Sequence, residues 1–375
     1  MSHFSLTIIN HNQIFMEDYN YIVACIPGEL VIEILKKLPA KSLMKFKCVS
    51  KSFYSLISDP FFIESHQKSY ITQFFVNRPR MTYYRLSKSE ERDEDLATCP
   101  LEYLDQSCFQ NLRYMQSTNG LVCLWNNLGD IAICNPFIKQ HVFLPCQLHK
   151  GSTFYAIGFD TITKRHKVFK AELFRGGKLI YSIFTIDIDK SWREVSSYIN
   201  FRPTDDNCVC IDGVIYFVNN YIRDIVAFSV VDEKFIRRIP FPINEWPLRL
   251  FNFTPLLVET KGQVAILGHV YFNFGKIALY ILNGTSEIEP WVKHTIELPL
   301  EFKKITHSFC FLLTTNPKGD ILSIPEIKNP PLFLYDNEKK EWRKVARNKI
   351  YGQNFHIQDG AQIYLNLVES IWSLK

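Results

Sequence analysis

The feature that most constrains the fold is a repeat that runs through most of the chain after residue 70. The turn glycines Gly120, Gly213, Gly262, Gly319 and Gly360 each lead into a short run rich in β-branched and aromatic residues. Successive glycines lie about 40 to 60 residues apart, except that the first gap holds about two periods. A period of this length with three or four strands per copy is typical of a β-propeller.

Aromatic residues open the last strand of several copies. Trp192, Trp291 and Trp342 occupy this position, and Phe235 occupies it in another copy. One blade cannot bury both of its faces, so we expect these side chains to pack between neighbouring blades rather than to line a ligand site. The sequence therefore predicts an all-β domain over residues 69–375, arranged as a propeller of about six blades.

A ring of blades has to be closed, and the sequence suggests how. Residues 363–374 remain strand-like, and residues 71–76 and 83–86 read as strands near the start of the β domain. We predict that these three segments share one blade. Deleting the last dozen residues should then unfold the whole β domain rather than fray one edge.

A short helical segment precedes the repeat. Leu30, Ile34 and Leu38 lie at i, i+4 and i+8, and Val31 and Leu35 widen the same apolar face. Pro27 suits the start of a helix, and Pro39 ends it because the residue before a proline avoids the α region. The pattern predicts one helix between these prolines.

Further short helices follow, around residues 42–47 and 48–57, and Asp59-Pro60 supplies an N-cap and a first-turn proline for a last one. The segment therefore reads as a small all-α unit of three to four helices. About forty residues cannot cover this many apolar side chains alone. Two interpretations stay open: the segment packs onto its own chain, or its outer face docks on a partner.

The segment resembles the F-box, a helical motif that binds a Skp-type adaptor in cullin-based ubiquitin ligases. The residues that carry the resemblance are IP at 26–27, Leu30, EIL at 33–35, LP at 38–39, KSL at 41–43, FKCVSK at 46–51 and LISDPF at 56–61. The resemblance favours docking on a partner over packing onto the chain itself.

The resemblance also implies the adaptor-binding residues. These are Ile26, Pro27, Leu30, Ile34, Leu35, Leu38, Pro39, Leu43, Val49 and Phe53. Two positions depart from the family pattern. Gly28 stands where a better helix former is usual, and Phe53 stands where plant members usually have Trp. Phe keeps a large aromatic ring but lacks the indole N–H, so we expect weaker docking rather than none.

The β region resembles the F-box-associated domain of plant F-box proteins, a kelch-like arrangement that pollen S-locus F-box proteins share. The residues concerned are STNGLVC at 117–123, CNPF at 134–137, LP at 144–145, GFD at 158–160, HKV at 166–168 and SWR at 191–193. Together the resemblances imply an F-box over residues 22–68, an F-box-associated domain over 69–375, and a substrate-recognition subunit of an SCF-type (Skp-cullin-F-box) ubiquitin ligase. The implied partners are the adaptor, cullin through it, and a target protein bound by the propeller loops.

Composition excludes several other classes. The net charge of +5, from 43 basic and 38 acidic residues, is too balanced to indicate nucleic-acid binding. The start of the chain lacks a signal-peptide pattern, and no apolar run is long enough to cross a membrane. The 10 cysteines are scattered, as in reduced intracellular proteins. We expect a cytoplasmic or nuclear protein whose residues 1–21 are poorly ordered.

No catalytic motif is present in the sequence. It has no phosphate-binding glycine loop, no nucleophile elbow, and no spacing of His and Cys that indicates zinc. We therefore expect a non-catalytic subunit without metal or cofactor. The alternatives are a carbohydrate-binding or enzymatic propeller with a helical cap, and an adaptor-bound protein that works outside ubiquitin transfer.

Overall fold

The fold was analysed in a computed structural model of the chain. The structure describes residues 5–9, 13–17, 26–67, 71–77, 82–88, 96–100, 102–146, 151–199, 201–203, 207–219, 224–242, 256–269, 276–283, 290–299, 301, 311–315, 318–325, 332–345, 362–368 and 370–374.

Four short helices form the helical domain: α1 (Gly28–Lys36), α2 (Ala40–Phe46), α3 (Lys51–Ser58) and α4 (Pro60–Gln67). The predicted caps are present at the last helix, where Asp59 Oδ1 accepts bonds from the N–H groups of Phe61 (2.8 Å) and Phe62 (3.1 Å). Helix α3 starts later than predicted, because Ser50 Oγ accepts a bond from Phe53 N–H and so caps the helix there.

The described strands build six antiparallel four-stranded sheets, which confirms the predicted propeller of about six blades. In order from the inner to the outer strand, blade 1 is Gln362–Val368, Ile71–Asn77, Thr82–Lys88 and Leu96–Pro100; blade 2 is Tyr114–Thr118, Leu121–Trp125, Ile131–Asn135 and Gln140–Phe143; blade 3 is Ser152–Asp160, Arg165–Leu173, Leu179–Thr185 and Arg193–Glu194; blade 4 is Cys208–Ile211, Val214–Asn219, Asp224–Ser229 and Lys234–Pro240; blade 5 is Leu256–Thr260, Gln263–His269, Lys276–Leu282 and Trp291–Glu297; and blade 6 is Phe311–Thr315, Ile321–Pro325, Leu332–Asp336 and Glu341–Val345.

Blade 1 closes the ring. Its inner strand, Gln362–Val368, comes from the far end of the chain and pairs antiparallel with Ile71–Asn77, which pairs in turn with Thr82–Lys88. The inner strands of the six blades contact one another in succession, and the last of them contacts the first. The predicted closure is therefore confirmed.

Two short strands lie within residues 1–21. Ser5–Ile9 and Gln13–Glu17 pair antiparallel, and they lie against helices α3 and α1, respectively. The expectation that residues 1–21 are poorly ordered stays a prediction.

The blade boundaries lie one strand earlier than the sequence repeat suggests. The turn glycine does not begin a blade. It joins the inner strand to the second one, and the inner strand precedes it. At Asn119-Gly120, Asp212-Gly213 and Lys261-Gly262 both turn residues have positive φ, between 43° and 79°. This is the tight hairpin turn that favours Asn or Asp followed by Gly.

Tryptophans of the outer strands bond to the preceding blade. Trp192 Nε1 donates to the carbonyl of Pro145, Trp291 Nε1 to that of Pro240, and Trp342 Nε1 to that of Glu297, each at 2.7 Å. In blade 4, Phe235 takes this role by packing against Tyr181 of blade 3, with ring centroids 5.1 Å apart. The prediction that these aromatics pack between blades is confirmed.

Replacing Trp291 by phenylalanine should remove one of these bonds while keeping an aromatic ring between the blades. The Pro240 carbonyl loses its indole donor, and we expect the free energy of unfolding to fall by about 1 kcal/mol. Denaturant unfolding of the two proteins measures this difference. A loss below about 0.3 kcal/mol would mean that the indole bond does not contribute to the contact between blades.

Candidate docking surface and its attachment to the propeller

Helix α1 exposes a line of apolar side chains. Leu30 and Ile34 are each 53% exposed, and Ile26, just before the helix, is 54% exposed. Leu30 and Ile34 are four residues apart in the helix, so they lie on one side of it, and Ile26 precedes the helix. We call Ile26, Leu30 and Ile34 the α1 stripe. Full burial of such a side chain is worth about 1.5–3 kcal/mol, and roughly half of that gain is available to a partner that covers the exposed half.

The remaining predicted site residues divide into three groups. Val49 is 67% exposed, and Pro27 and Pro39 are also exposed. Leu38 and Phe53 are half-buried against the helical core, where the Phe53 ring lies 5.6 Å from that of Phe46. These residues can contact a partner with part of their surface.

Leu35 and Leu43 form the third group, which is buried in this structure. They are 2% and 0% exposed and lie in the core of the helical domain with Ile57, Phe62 and Ile63. Spacing alone could not separate these two leucines from exposed apolar residues such as the α1 stripe. A short helix with apolar residues on two sides can bury only one of those sides. In this structure they support the exposed surface from beneath and do not form part of it.

Two exposed aromatic residues of the helical domain were missed. Tyr54 and Phe61 are more than half exposed. Tyr54 lies outside the apolar side of α3, which contains Phe53 and Ile57. Phe61 precedes Phe62 in α4, and only Phe62 is buried. The position of each ring relative to the buried side of its helix was the signal that could have found them.

Lysines are frequent in the helical domain. Lys36, Lys37, Lys41, Lys45, Lys47 and Lys51 all lie within the helical domain, and Lys36 Nζ lies 2.8 Å from Glu33 Oε1. The hydrogen bond and charge of Lys36 hold the pKa of the Glu33 carboxyl below its ordinary value. The helical domain therefore presents apolar side chains within a mainly basic surface.

The opposite side of the helical domain packs on the propeller. Phe137 and Ile138, in the turn between the third and fourth strands of blade 2, contact the helical core. Glu64 of α4 forms an ion pair with Lys164 of blade 3, with Oε2 and Nζ 2.8 Å apart. Both interpretations left open by the sequence thus apply to different sides: one side packs on the chain, and the other stays exposed.

Residues 370–374 lie between the two domains. Ile371 is fully buried in the helical core, whereas its neighbour Trp372 packs against Phe159 and His166 of blade 3, at ring-centroid distances of 6.2 and 4.9 Å. Asn135 of blade 2 donates through Nδ2 to the carbonyls of Ser370 (2.8 Å) and Trp372 (2.9 Å). We call residues 370–374 the bridging segment.

Three of the motifs quoted for the β-domain resemblance meet at the bridging segment. CNPF contributes Asn135 and Phe137, GFD contributes Phe159, and HKV contributes His166. The next residue, Lys167, lies with Nζ 2.9 Å from both Asp160 and Glu233 and so joins blade 3 to blade 4. The bridging segment is far from these motifs in sequence, and only the fold brings it to them.

His166 makes this junction sensitive to acid. Its Nε2 donates to the carbonyls of Thr118 (3.2 Å) and Asn119 (3.3 Å), and burial lowers its pKa to about 4. An unfolded histidine titrates near 6.5. Between these values the unfolded chain binds the proton and the folded chain does not, so stability falls as the pH decreases from 6.5 towards 4.

We expect the wild-type protein to lose about 2 kcal/mol more stability than His166→Gln between pH 7 and pH 5. Glutamine can keep a donor near the two carbonyls but does not titrate. Urea unfolding of both proteins at the two pH values measures the difference. Equal losses would show that His166 is not held neutral in the folded protein.

Comparison with known proteins identifies this arrangement. The family model for the F-box associated β-propeller domain matches residues 68–369, most of the chain. The chain belongs to this family. The F-box family model matches residues 24–65, which contain the α1 stripe. The chain is thus an F-box protein in which the helical domain is the F-box and the six blades form the F-box associated domain.

The chain matches two plant proteins along most of their length. An F-box protein of Arabidopsis thaliana is 30% identical, with 85% of this chain and 89% of the relative covered. A putative F-box protein from the same plant is 26% identical, with 93% and 94% covered. Among solved structures, a chain of a nidogen/laminin complex matches with a TM-score of 0.44 at 11% identity, covering 78% of this chain and 96% of that chain, a likeness too weak for inference.

Within the described ranges, no group of three or more His, Cys, Asp or Glu residues could hold a metal ion. In the same part of the chain, no helix is long and apolar enough to cross a membrane.

Proposed function

We propose that this F-box protein is the substrate-recognition subunit of an SCF-type ubiquitin ligase. The observation that carries the proposal is the exposed α1 stripe on a domain that matches the F-box family. A Skp-type adaptor would cover Ile26, Leu30 and Ile34 together with Val49, the two exposed prolines and the accessible parts of Leu38 and Phe53. Cullin would be reached through the adaptor.

The charge around the surface supports a partner with an acidic rim. Six lysines lie in the helical domain, and of its acids Glu33 is already paired with Lys36. Opposite charges at the edge of an interface speed association and fix its orientation more than they add affinity. The affinity itself would come from the apolar stripe.

The propeller would bind the target protein through its loops. The tight hairpin turns, such as Asn119-Gly120, lie at the end of the propeller that faces the helical domain. At that end His166 contacts the carbonyl of Asn119. Because the strands are antiparallel, the connections between blades lie at the other end. We propose that end for target binding, since it points away from the adaptor.

In this proposal the chain acts by proximity and supplies no catalytic residue. Holding a target near a separately bound ubiquitin-charged enzyme raises its effective concentration there. A ligase subunit of this kind would work in the cytoplasm, in the nucleus or in both.

Calorimetric titration of the full-length protein with a plant Skp-type adaptor tests the proposal. We expect binding in the nanomolar to micromolar range. Absence of binding would contradict the proposal and favour a propeller with a helical cap, in which a small molecule or carbohydrate should raise the thermal midpoint of the β domain.

A further inference from the structure

The bridging segment contacts both domains with adjacent residues. Ile371 inserts into the core of the F-box beside Leu35, Leu43 and Ile57, where its side chain is fully buried. Trp372 packs against the aromatic cluster of blade 3. A residue completely buried in one domain and a neighbour packed on the other connect the two cores directly.

The backbone of the segment is also held. Asn135 is fully buried, and both hydrogens of its side-chain amide are used by the carbonyls of Ser370 and Trp372. Its Oδ1 accepts a bond from Phe137 N–H at 3.1 Å. A buried amide with every group paired holds its partners in one geometry, because any displacement leaves a polar group unpaired.

Further bonds continue along the segment. Gln140 Oε1 accepts from Ser373 Oγ and from Leu374 N–H, each at 3.0 Å. On the F-box side, Lys164 pairs with Glu64, and Lys164 Nζ lies 5.7 Å from the centre of the Phe61 ring. The contacts thus extend from blade 2 across the segment to blade 3 and helix α4.

Without these contacts the F-box would be attached mainly through one short connection. Helix α4 ends at Gln67 and the next strand of blade 1 starts at Ile71. Domains joined by one short linker move relative to each other unless a large apolar interface prevents it. The bridging segment supplies a second attachment. It starts close to the short linker, because the strand before it, Gln362–Val368, pairs with the strand after the linker, Ile71–Asn77.

We propose that the bridging segment is a positioning element: it holds the F-box in one orientation on the propeller, with Trp372 and Asn135 as its main residues. The consequence of this fixed orientation for ubiquitin transfer rests on the proposed function. A fixed orientation sets the direction and distance from the ubiquitin-charged enzyme to the target, and so selects which lysines are within reach.

Two variants test the orientation without changing the α1 stripe or any fully buried residue of the F-box core. Trp372→Ala removes the ring from the blade 3 cluster. Asn135→Asp keeps the bond from Phe137 N–H but loses both donors to the segment. Trp291→Ala is the matched control, because it also removes a tryptophan ring, at a distant boundary between blades.

The direct readout is a zero-length carbodiimide cross-link between Lys164 and Glu64, quantified by mass spectrometry of the joined peptides. We expect the yield to fall at least fivefold in Trp372→Ala and Asn135→Asp, and to stay within twofold of wild type in Trp291→Ala. Glu64→Gln gives the background. A yield unchanged in both bridging variants would overturn the inference.

A second readout separates positioning from simple stability. In a reconstituted ligase, the ubiquitin-acceptor lysines of the chain itself are mapped. We expect a defined set in wild type and in Trp291→Ala, and a changed or broader set in the bridging variants, with adaptor affinity within threefold of wild type. An unchanged set would overturn the positioning role. If wild type does not bind the adaptor, the proposed function fails, while the cross-link still decides whether the segment holds the F-box.

Discussion

Replacing Leu30 by aspartate should weaken binding of a Skp-type adaptor at least 100-fold without unfolding the protein. Leu30 lies at the centre of the α1 stripe, between Ile26 and Ile34, and is about half exposed in the chain alone. A carboxylate covered by an apolar partner surface has to be desolvated without a counterion, which costs about 3 kcal/mol or more. Calorimetric titration measures the loss.

Two controls give this result its meaning. Ile188→Asp makes the same kind of change at a similarly exposed site on the propeller and should bind normally. Leu35→Asp, next to Ile34 in sequence but buried, should instead destabilise the F-box itself. Wild-type affinity in Leu30→Asp would remove the α1 stripe from the interface and leave the assignment of the docking surface without support.

Removing residues 362–375 should prevent cooperative folding of the β domain or lower its thermal midpoint by at least about 10 °C. The deletion takes away the inner strand of blade 1 and breaks the ring of inner-strand contacts. It exposes the edge of Ile71–Asn77 and the faces of two neighbouring blades to water. Differential scanning calorimetry of the truncated chain measures the effect.

A shorter deletion is the matched control. Removing residues 370–375 leaves the closing strand paired and takes away only the bridging segment. The midpoint of the β domain should then change little compared with the longer deletion. If the longer deletion left the midpoint unchanged, ring closure by Gln362–Val368 would not be required for the stability of the propeller.

The sequence was most informative where one residue pattern has one physical solution. The repeat after residue 70 predicted blades, because strands with two apolar faces need neighbours on both sides. The tryptophans Trp192, Trp291 and Trp342 were correctly placed between blades. The carbonyls of Pro145, Pro240 and Glu297 that accept their indole bonds could not be predicted, since each depends on how two sheets are set against each other.

The sequence was less informative about the phase of the repeat and the burial of the F-box residues. A turn glycine shows where a hairpin lies but not whether the hairpin begins a blade or follows its inner strand. Likewise, Leu30 and Leu35 belong to the same apolar pattern on one helix. Only the packing of Ile57, Phe62 and Ile371 shows that Leu35 is covered and Leu30 is not.

The sequence by itself determined the two domains, their fold class, the closing strand and most of the exposed surface on which the proposed function depends. These follow from local periodicity and turn chemistry, which are properties of neighbouring residues. The tertiary structure decided which apolar residues are buried and where the F-box attaches. Trp372 is distant in sequence from Asn135 and His166, and its contacts with them exist only because the ring closes and brings the end of the chain to blades 2 and 3.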